Sequence, residues 1–264
     1  CYLRASNFKN NLEITQVVCM APRYINDASL RDREDEILDQ ALEIITKNGI
    51  VWLTMDKLVA TVNYSKGTVY KLFSSKEDVL AGLCNRNMRS VLDLFTRAVN
   101  IDGSAREKMT AVGFAYMISV LMSPQHFTLV MNAKTELFEA ASMKRRDEHE
   151  AIDDKLLNVI CEIIKAAVAT KELTLDAQDD AQKIAFSLWS MAFGTISLLL
   201  NGEKACSTTT GLMLEDRVIA NGNIVMNGWR WSKPCRDQDE LIKLLKADIF
   251  APELDALERQ EIYL

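Results

Sequence analysis

Apolar residues recur at intervals of three and four along most of this chain, and only four prolines interrupt its 264 residues. That spacing gathers apolar side chains on one stripe of an α-helix but would scatter them over both faces of a strand, so it selects an all-α fold. The clearest case spans 31–47, where Ile37, Leu38, Ala41, Leu42, Ile44 and Ile45 form one stripe. Asp32, Glu34, Asp35 and Glu36 load its first turn, where the helix dipole favours anions. Asn48 and Gly49 stop it, glycine being suited to the left-handed position just past a helix end.

Two much shorter segments follow. Thr54 offers an N-cap, and Met55, Leu58, Val59 and Val62 give a short helix its buried side. Asn63 and Tyr64 make a tight turn, Asn being tolerant of left-handed backbone. Ser65 then caps a third helix with Val69, Leu72 and Phe73 turned inward. Ser74 and Ser75, ahead of Lys76, Glu77 and Asp78, carry the capping-box signature of a fourth helix, which continues through Leu80, Leu83, Val91 and Leu94. Beyond a break at 100–103, helices are expected near 104–122, 124–141, 147–170 and 178–201. The breaks between them fall at Ser123 and Pro124, around 143–146 and at 171–174. The stretch 203–235 is the least legible. It reads as a helix over 212–226 stopped by Asn227 and Gly228, after which Trp229 and Trp231 dock on the body. A last helix is expected over 237–249. The organisation is therefore an irregular N-terminal extension (1–30), a three-helix unit with a helix-turn-helix (31–78), and a larger helical unit (79–264). Met20, ahead of a polar lead into the first strong helix, marks 1–19 as an upstream extension; 1–30 lacks the apolar core of a signal peptide.

The net charge of −6 hides a division. The acidity lies beyond residue 90, whereas 31–90 is neutral and holds Lys57, Lys66, Lys71 and Lys76 with no acid between the first and the last. For phosphate binding a local positive face counts, not the total.

Other chemistries lack their residues. The six cysteines (Cys1, Cys19, Cys84, Cys161, Cys206 and Cys235) form no CxxC pair, which points to reduced thiols and a cytoplasmic protein. Two histidines, His126 and His149, cannot supply a His-rich metal site, and no HExxH or phosphate-binding loop occurs. The residues call for no cofactor, no metal and no enzymatic activity. No run reaches the 18 or so uninterrupted apolar residues of a membrane span, so no membrane is expected as a partner.

What remains is the segment Ser65-Lys66-Gly67-Thr68-Val69-Tyr70-Lys71-Leu72-Phe73. One face anchors it, and the other offers two hydroxyls, a phenol, two ammonium groups and a glycine. Those are donors for phosphate oxygens and base edges on the first turns of a helix slim enough for a major groove. Gly67 costs a helix about 1 kcal/mol relative to Ala, so its presence asks for a reason, and close approach to a duplex is one.

Residues 33–83 resemble the DNA-binding domain of the tetracycline-repressor (TetR) family. The resemblance rests on Gly49, Thr54, Leu58, the run Ser65 to Tyr70, Phe73, and the run Ser75 to Leu80. It implies that Thr54 and Lys76 hold phosphates on either side of the groove and that Tyr70 gives its hydroxyl to a phosphate. Lys66, Gly67 and Thr68 would face base edges, with Ser65, Tyr64 and Lys71 completing the interface. Val59 and Val62 stand where Ala is usual, Asn63 where Gly is usual, and Tyr64 where Val is usual. Tyr64 would either extend base contact or pack beside Thr68.

For the rest of the chain the resemblance implies a homodimer enclosing a pocket for a small-molecule inducer, released from a roughly palindromic double-stranded operator. The segment 178–201 is apolar nearly all round, with small Ser187, Ser190, Ala192 and Gly194 between, which suits a core-plus-dimer element partnered by 153–168. The pocket is expected at Met117, His126, Phe127, Met131, Trp189 and Phe193, with His126 as its polar contact. The competing reading is a DNA-associated structural or adaptor protein on the same fold, without an inducer.

Overall fold

A computed structural model describes residues 27–125, 127, 135–201, 209–232 and 234–262. Expectations for residues 1–26, and for His126 and Met131, lie outside the described residues. Helix α1 (Asp27–Asn48) ends where Gly49 takes φ +87° and its N–H reaches back 2.8 Å to the Ile45 carbonyl. A single 3-10 turn (Ile50–Trp52) then leads into α2 (Met55–Thr61), α3 (Lys66–Leu72) and α4 (Lys76–Val99). The three expected caps are in place: Thr54, Ser65 and Ser75 accept from the backbone N–H of Lys57, Thr68 and Asp78 respectively. Each satisfies a donor that a helix start would otherwise leave orphaned.

Next come α5 (Ala105–Met122), α6 (Thr135–Ala140), α7 (Met143–Ala169), α8 (Ala181–Asn201) and α9 (Leu214–Gly228). Ser104 and Glu107 close a full capping box on α5. Two expectations need correction. The break placed around 143–146 lies earlier, at Ala141 and Ser142, and Met143 to Arg146 form the first turn of α7. The last helix, expected as one piece over 237–249, is α10 (Gln238–Leu244) running into a π-turn (Leu245–Ile249). A further helix, α11 (Ala251–Glu258), follows with Pro252 in its first turn. Proline is tolerated there because its missing N–H would be unpaired anyway.

Two apolar cores share α4. Ile37, Leu38, Leu53, Leu58, Val69, Phe73, Val79, Leu83 and Cys84 form the core of a small head. Val91, Phe95 and Ala98, farther along α4, join α5, α7, α8 and α9 in a larger body core. Fully burying one such side chain contributes roughly 1.5–3 kcal/mol, so each core holds its own part of α4 in place. At Gly82 the head packs so closely that a Cβ would lie 3.0 Å from Phe73 and 3.2 Å from Leu38. Trp231 is buried against the body and Trp229 packs beside it, as expected. The C-terminal segment buttresses the α4–α5 corner: Phe250 stacks on Phe114 at 5.8 Å, and Arg97 binds Glu253 at 2.5 Å.

Averaged over its length rather than counted as an unbroken run, α8 does qualify as long and apolar enough to cross a bilayer, with a mean hydropathy of 1.5. It packs instead against α9, where Asn221 donates to Thr195 at 3.0 Å, and against α5 and α7.

Candidate nucleic-acid interface and ligand cavity

Helix α3 presents Lys66, Gly67, Tyr70 and Lys71 on its exposed side, while Val69 anchors the opposite side in the head core. Ser65 is occupied locally, its hydroxyl meeting that of Thr68 at 2.9 Å. The Lys66 ammonium sits 2.9 Å from Asp56 of α2 and 5.5 Å from the Tyr70 ring centre. Its hydrogen bond to Asp56, then Asp56's charge, raise its pKa above the usual lysine value. A Cβ on Gly67 would meet only the Ser65 hydroxyl at 3.9 Å, an ordinary contact. Nothing inside the protein therefore demands glycine at this position.

Lys76 is half-buried and donates to the Ile50 carbonyl at 2.8 Å, tying the start of α4 to the 3-10 turn. An ammonium has three donors, so this bond leaves two for other acceptors. Thr54, exposed beside it, caps α2. The group implied by the resemblance is thus brought to one end of the head, with one exception. Tyr64, expected either to extend base contact or to pack beside Thr68, is engaged with α1: its hydroxyl donates to Glu36, and the Arg33 guanidinium lies over its ring at 5.7 Å. The Glu36 hydrogen bond raises the phenol's pKa. Asp32, Glu34, Asp35 and Glu36, expected in the first turn of this helix, lie farther along it, because α1 begins at Asp27.

The same end carries two residues that periodicity does not flag. Val51 and Trp52 are 82% and 56% exposed, and the Lys57 ammonium stands 4.0 Å from the Trp52 ring centre. A large exposed apolar pair flanked by lysine, beside Thr54 and Lys76, is unusual on a free surface.

Head and body meet at the start of α7. Ser142 donates its backbone N–H to Asp78 at 2.9 Å, and Asp78 also accepts from both the N–H and the hydroxyl of Ser74. Burial pushes the Asp78 carboxyl up, but these hydrogen bonds outweigh it and leave the group below the usual range. Arg145, 1% exposed, reaches Glu34 of α1 at 2.6 Å, Glu148 at 2.9 Å and the Leu72 carbonyl at the end of α3 at 3.3 Å. Its guanidinium lies over Phe73 at 4.8 Å. Asn85 of α4 donates to the Arg145 carbonyl, so its own oxygen must accept, and His149 Nδ1 at 3.0 Å carries the proton between them.

In the body, a cavity of about 390 Å³ opens among α4, α5, α7, α8 and α9. Phe95, Met109, Leu157, Leu188 and Met226 form its walls, and Asp153, Gln182, Phe186 and Trp189 stand at its rim. Of the expected pocket residues, Trp189 lines it. Met117 does not: it is fully buried in the body core. Phe127 and Phe193 pair with each other at 5.4 Å and pack into the core outside the cavity. No group of residues suited to hold a metal occurs among the described residues.

Residues 37–83 match the family described as bacterial regulatory proteins, tetR family, and 109–215 match the tetracyclin repressor-like C-terminal domain. The fatty acid metabolism regulator protein of Bacillus subtilis is 24% identical over 168 residues, covering 63% of this chain and 80% of its own. Among solved structures, a TetR/AcrR regulator from Thermobifida fusca aligns at 22% identity and TM-score 0.56, over 75% of this chain and 99% of its own. The regulator FadR of Bacillus subtilis, in complex with stearoyl-CoA, aligns at 19% identity and TM-score 0.53, over 73% and 95%.

Proposed function

The chain belongs to the TetR family of bacterial transcriptional regulators, and from this we propose that it acts in the cytoplasm as a homodimeric repressor, released from a palindromic operator by a small ligand with an apolar body. The carrying observation is that α4 and α7 each run from the head to the cavity. Helix α4 bears Lys76 at one end and Val91 and Phe95 at the cavity. Helix α7 bears Arg145 in the head and Leu156 and Leu157 at the cavity, about 16 Å along its axis. A ligand that parts the two helices turns the head, and two heads that no longer match the spacing of two half-sites bind more weakly.

In this reading Lys66, Gly67 and Thr68 face base edges, while Thr54, Tyr70, Lys71 and Lys76 take phosphates. The fatty acid regulator relative, and the acyl-CoA complex of its structural neighbour, support a ligand with an apolar tail. We place the dimer face on α8 and α9 rather than on α8 and the 153–168 partner expected from the sequence. The apolar stripe of 153–168 turns inward at Ile163, Ile164 and Ala167, whereas α8 and α9 leave Leu198 and Ile224 exposed beside Ser190 and Gly194. A Cβ on Gly194 would meet nothing within 4 Å. Two copies of α8 and α9 packed there would form the four-helix interface.

The test is a fluorescence-anisotropy titration of a promoter fragment adjoining the protein's own gene. Sequence-specific binding, lost in a Tyr70→Phe/Lys76→Ala double variant, is expected. Absence of specific binding by the wild type overturns the reading.

A further inference from the structure

We propose that the cavity selects its ligand by head-group charge, taking an apolar molecule that ends in a cationic group and rejecting one that ends in a carboxylate or phosphate. The inference rests on the reading of this cavity as the effector site and names the class of effector. Among the described lining residues there is no Lys, Arg or His, and Asp153 of α7 is the one ionised group. It stands at the rim with Gln182, Phe186 and Trp189 of α8. The Phe186 and Trp189 rings lie 6.2 Å apart, and Tyr116 lines the cavity with them. Aromatic faces beside a carboxylate attract ammonium groups, through the ring quadrupole and through charge.

Arg106, on the same helix as the lining residue Thr110, does not alter this balance. It precedes Thr110 by one turn of α5, but its Nη atoms are taken by Asn223, Asn227 and the carbonyls of Trp231 and Ser232. Thr110 spends its hydroxyl on the Arg106 carbonyl. Tyr116, whose pKa burial pushes up to about 12, stays neutral and supplies at most a phenolic hydrogen bond. An anionic head would therefore find no cation among the described lining residues and would face Asp153. Phosphates and carboxylates are ordinarily held by arginine forks or lysines, so the cavity departs from what an acyl-CoA would need.

Isothermal titration of the full chain with dodecylamine, dodecanol and dodecanoate separates charge from tail, since the apolar body is common to all three. The protonated amine is expected to bind about tenfold tighter than the carboxylate, with the alcohol between them. Asp153 is exposed, so Asp153→Lys keeps the fold, and it should reverse the order. Equal or tighter binding of dodecanoate by the wild type, or an order unchanged in Asp153→Lys, overturns the head-group inference and leaves the effector reading standing. Failure of all three to bind a protein that still recognises its operator removes the effector reading and this inference together.

Discussion

The guanidinium of Arg145 and the carboxylate of Glu34 meet at 2.6 Å across the seam between the helical body and the DNA-reading head. Both are largely buried, and the same guanidinium holds the last carbonyl of α3. Burial alone would raise the Glu34 pKa, yet the hydrogen bond and charge of Arg145 pull it below the usual value. Replacing Arg145 with Met leaves that carboxylate only the exposed Lys144 at 3.7 Å, and removing one partner of a buried pair costs about 3–5 kcal/mol. Urea unfolding followed by circular dichroism should show a loss of that size. Arg145→Lys keeps the charge but not the fork, so it should fold yet show weaker release of DNA by ligand. A loss under about 1 kcal/mol for Arg145→Met would mean that head and body are not joined through this residue.

Gly67→Ala separates folding from recognition. The added methyl has room, meeting only Ser65 at 3.9 Å, and alanine is the better helix former by up to about 1 kcal/mol. Thermal unfolding should therefore be unchanged or slightly higher. Operator affinity should fall at least about tenfold if the glycine admits the duplex backbone or a base edge, a cost of about 1.4 kcal/mol. Undiminished binding would show that α3 does not approach the DNA at this turn.

The first four helices were readable because each is dictated locally. One stripe and one cap define each of α2, α3 and α4, and Gly49 ends α1 where its backbone requires positive φ. The seam was not readable. Lys144, Arg145, Arg146, Asp147 and Glu148 resemble a solvated break, and only the fold brings Arg145 to Glu34, 111 positions away. The cavity was hidden for a different reason. Met117 and Met109 are both apolar residues of α5, but one fills the core and the other borders empty space, a distinction set by which helices face them. Tyr64 was open to two readings because its partner, Glu36, lies on another helix.

His149 gives the seam a pH dependence. Burial lowers its pKa below the ordinary value of about 6.5, with Asp153 opposing in part. Between the lowered value and about 6.5 the unfolded chain holds the proton and the folded chain does not, so stability rises with pH across that window. It must then fall as pH drops from 7 toward 5. Glu34 and Asp78, whose pKa values are lowered from 4.5 and 3.8, lose their contribution only further down. Unfolding midpoints should decline between pH 7 and 5 in the wild type and flatten there in His149→Gln. A decline of equal slope in the variant would assign the effect to another group.

Asp56 restrains Lys66, the lysine proposed to reach the operator. Its carboxylate holds Lys66 at 2.9 Å, with both side chains mostly exposed. To reach a base edge, Lys66 must leave that partner, and the carboxylate left behind repels the approaching phosphates. Both side chains are exposed and screened by solvent, so the gain from removing the pair is small. Asp56→Asn should therefore tighten operator binding by up to about fivefold at low salt, with the advantage shrinking as salt screens the charge. Lys66→Ala should do the opposite. If the ammonium neutralises a phosphate, the slope of log affinity against log salt should fall by about 1; if it reads a base, the slope should hold and base preference should relax. Anisotropy titrations at three salt concentrations decide between these, and an Asp56→Asn variant that binds more weakly would show that the pair positions Lys66 for the groove rather than withholding it.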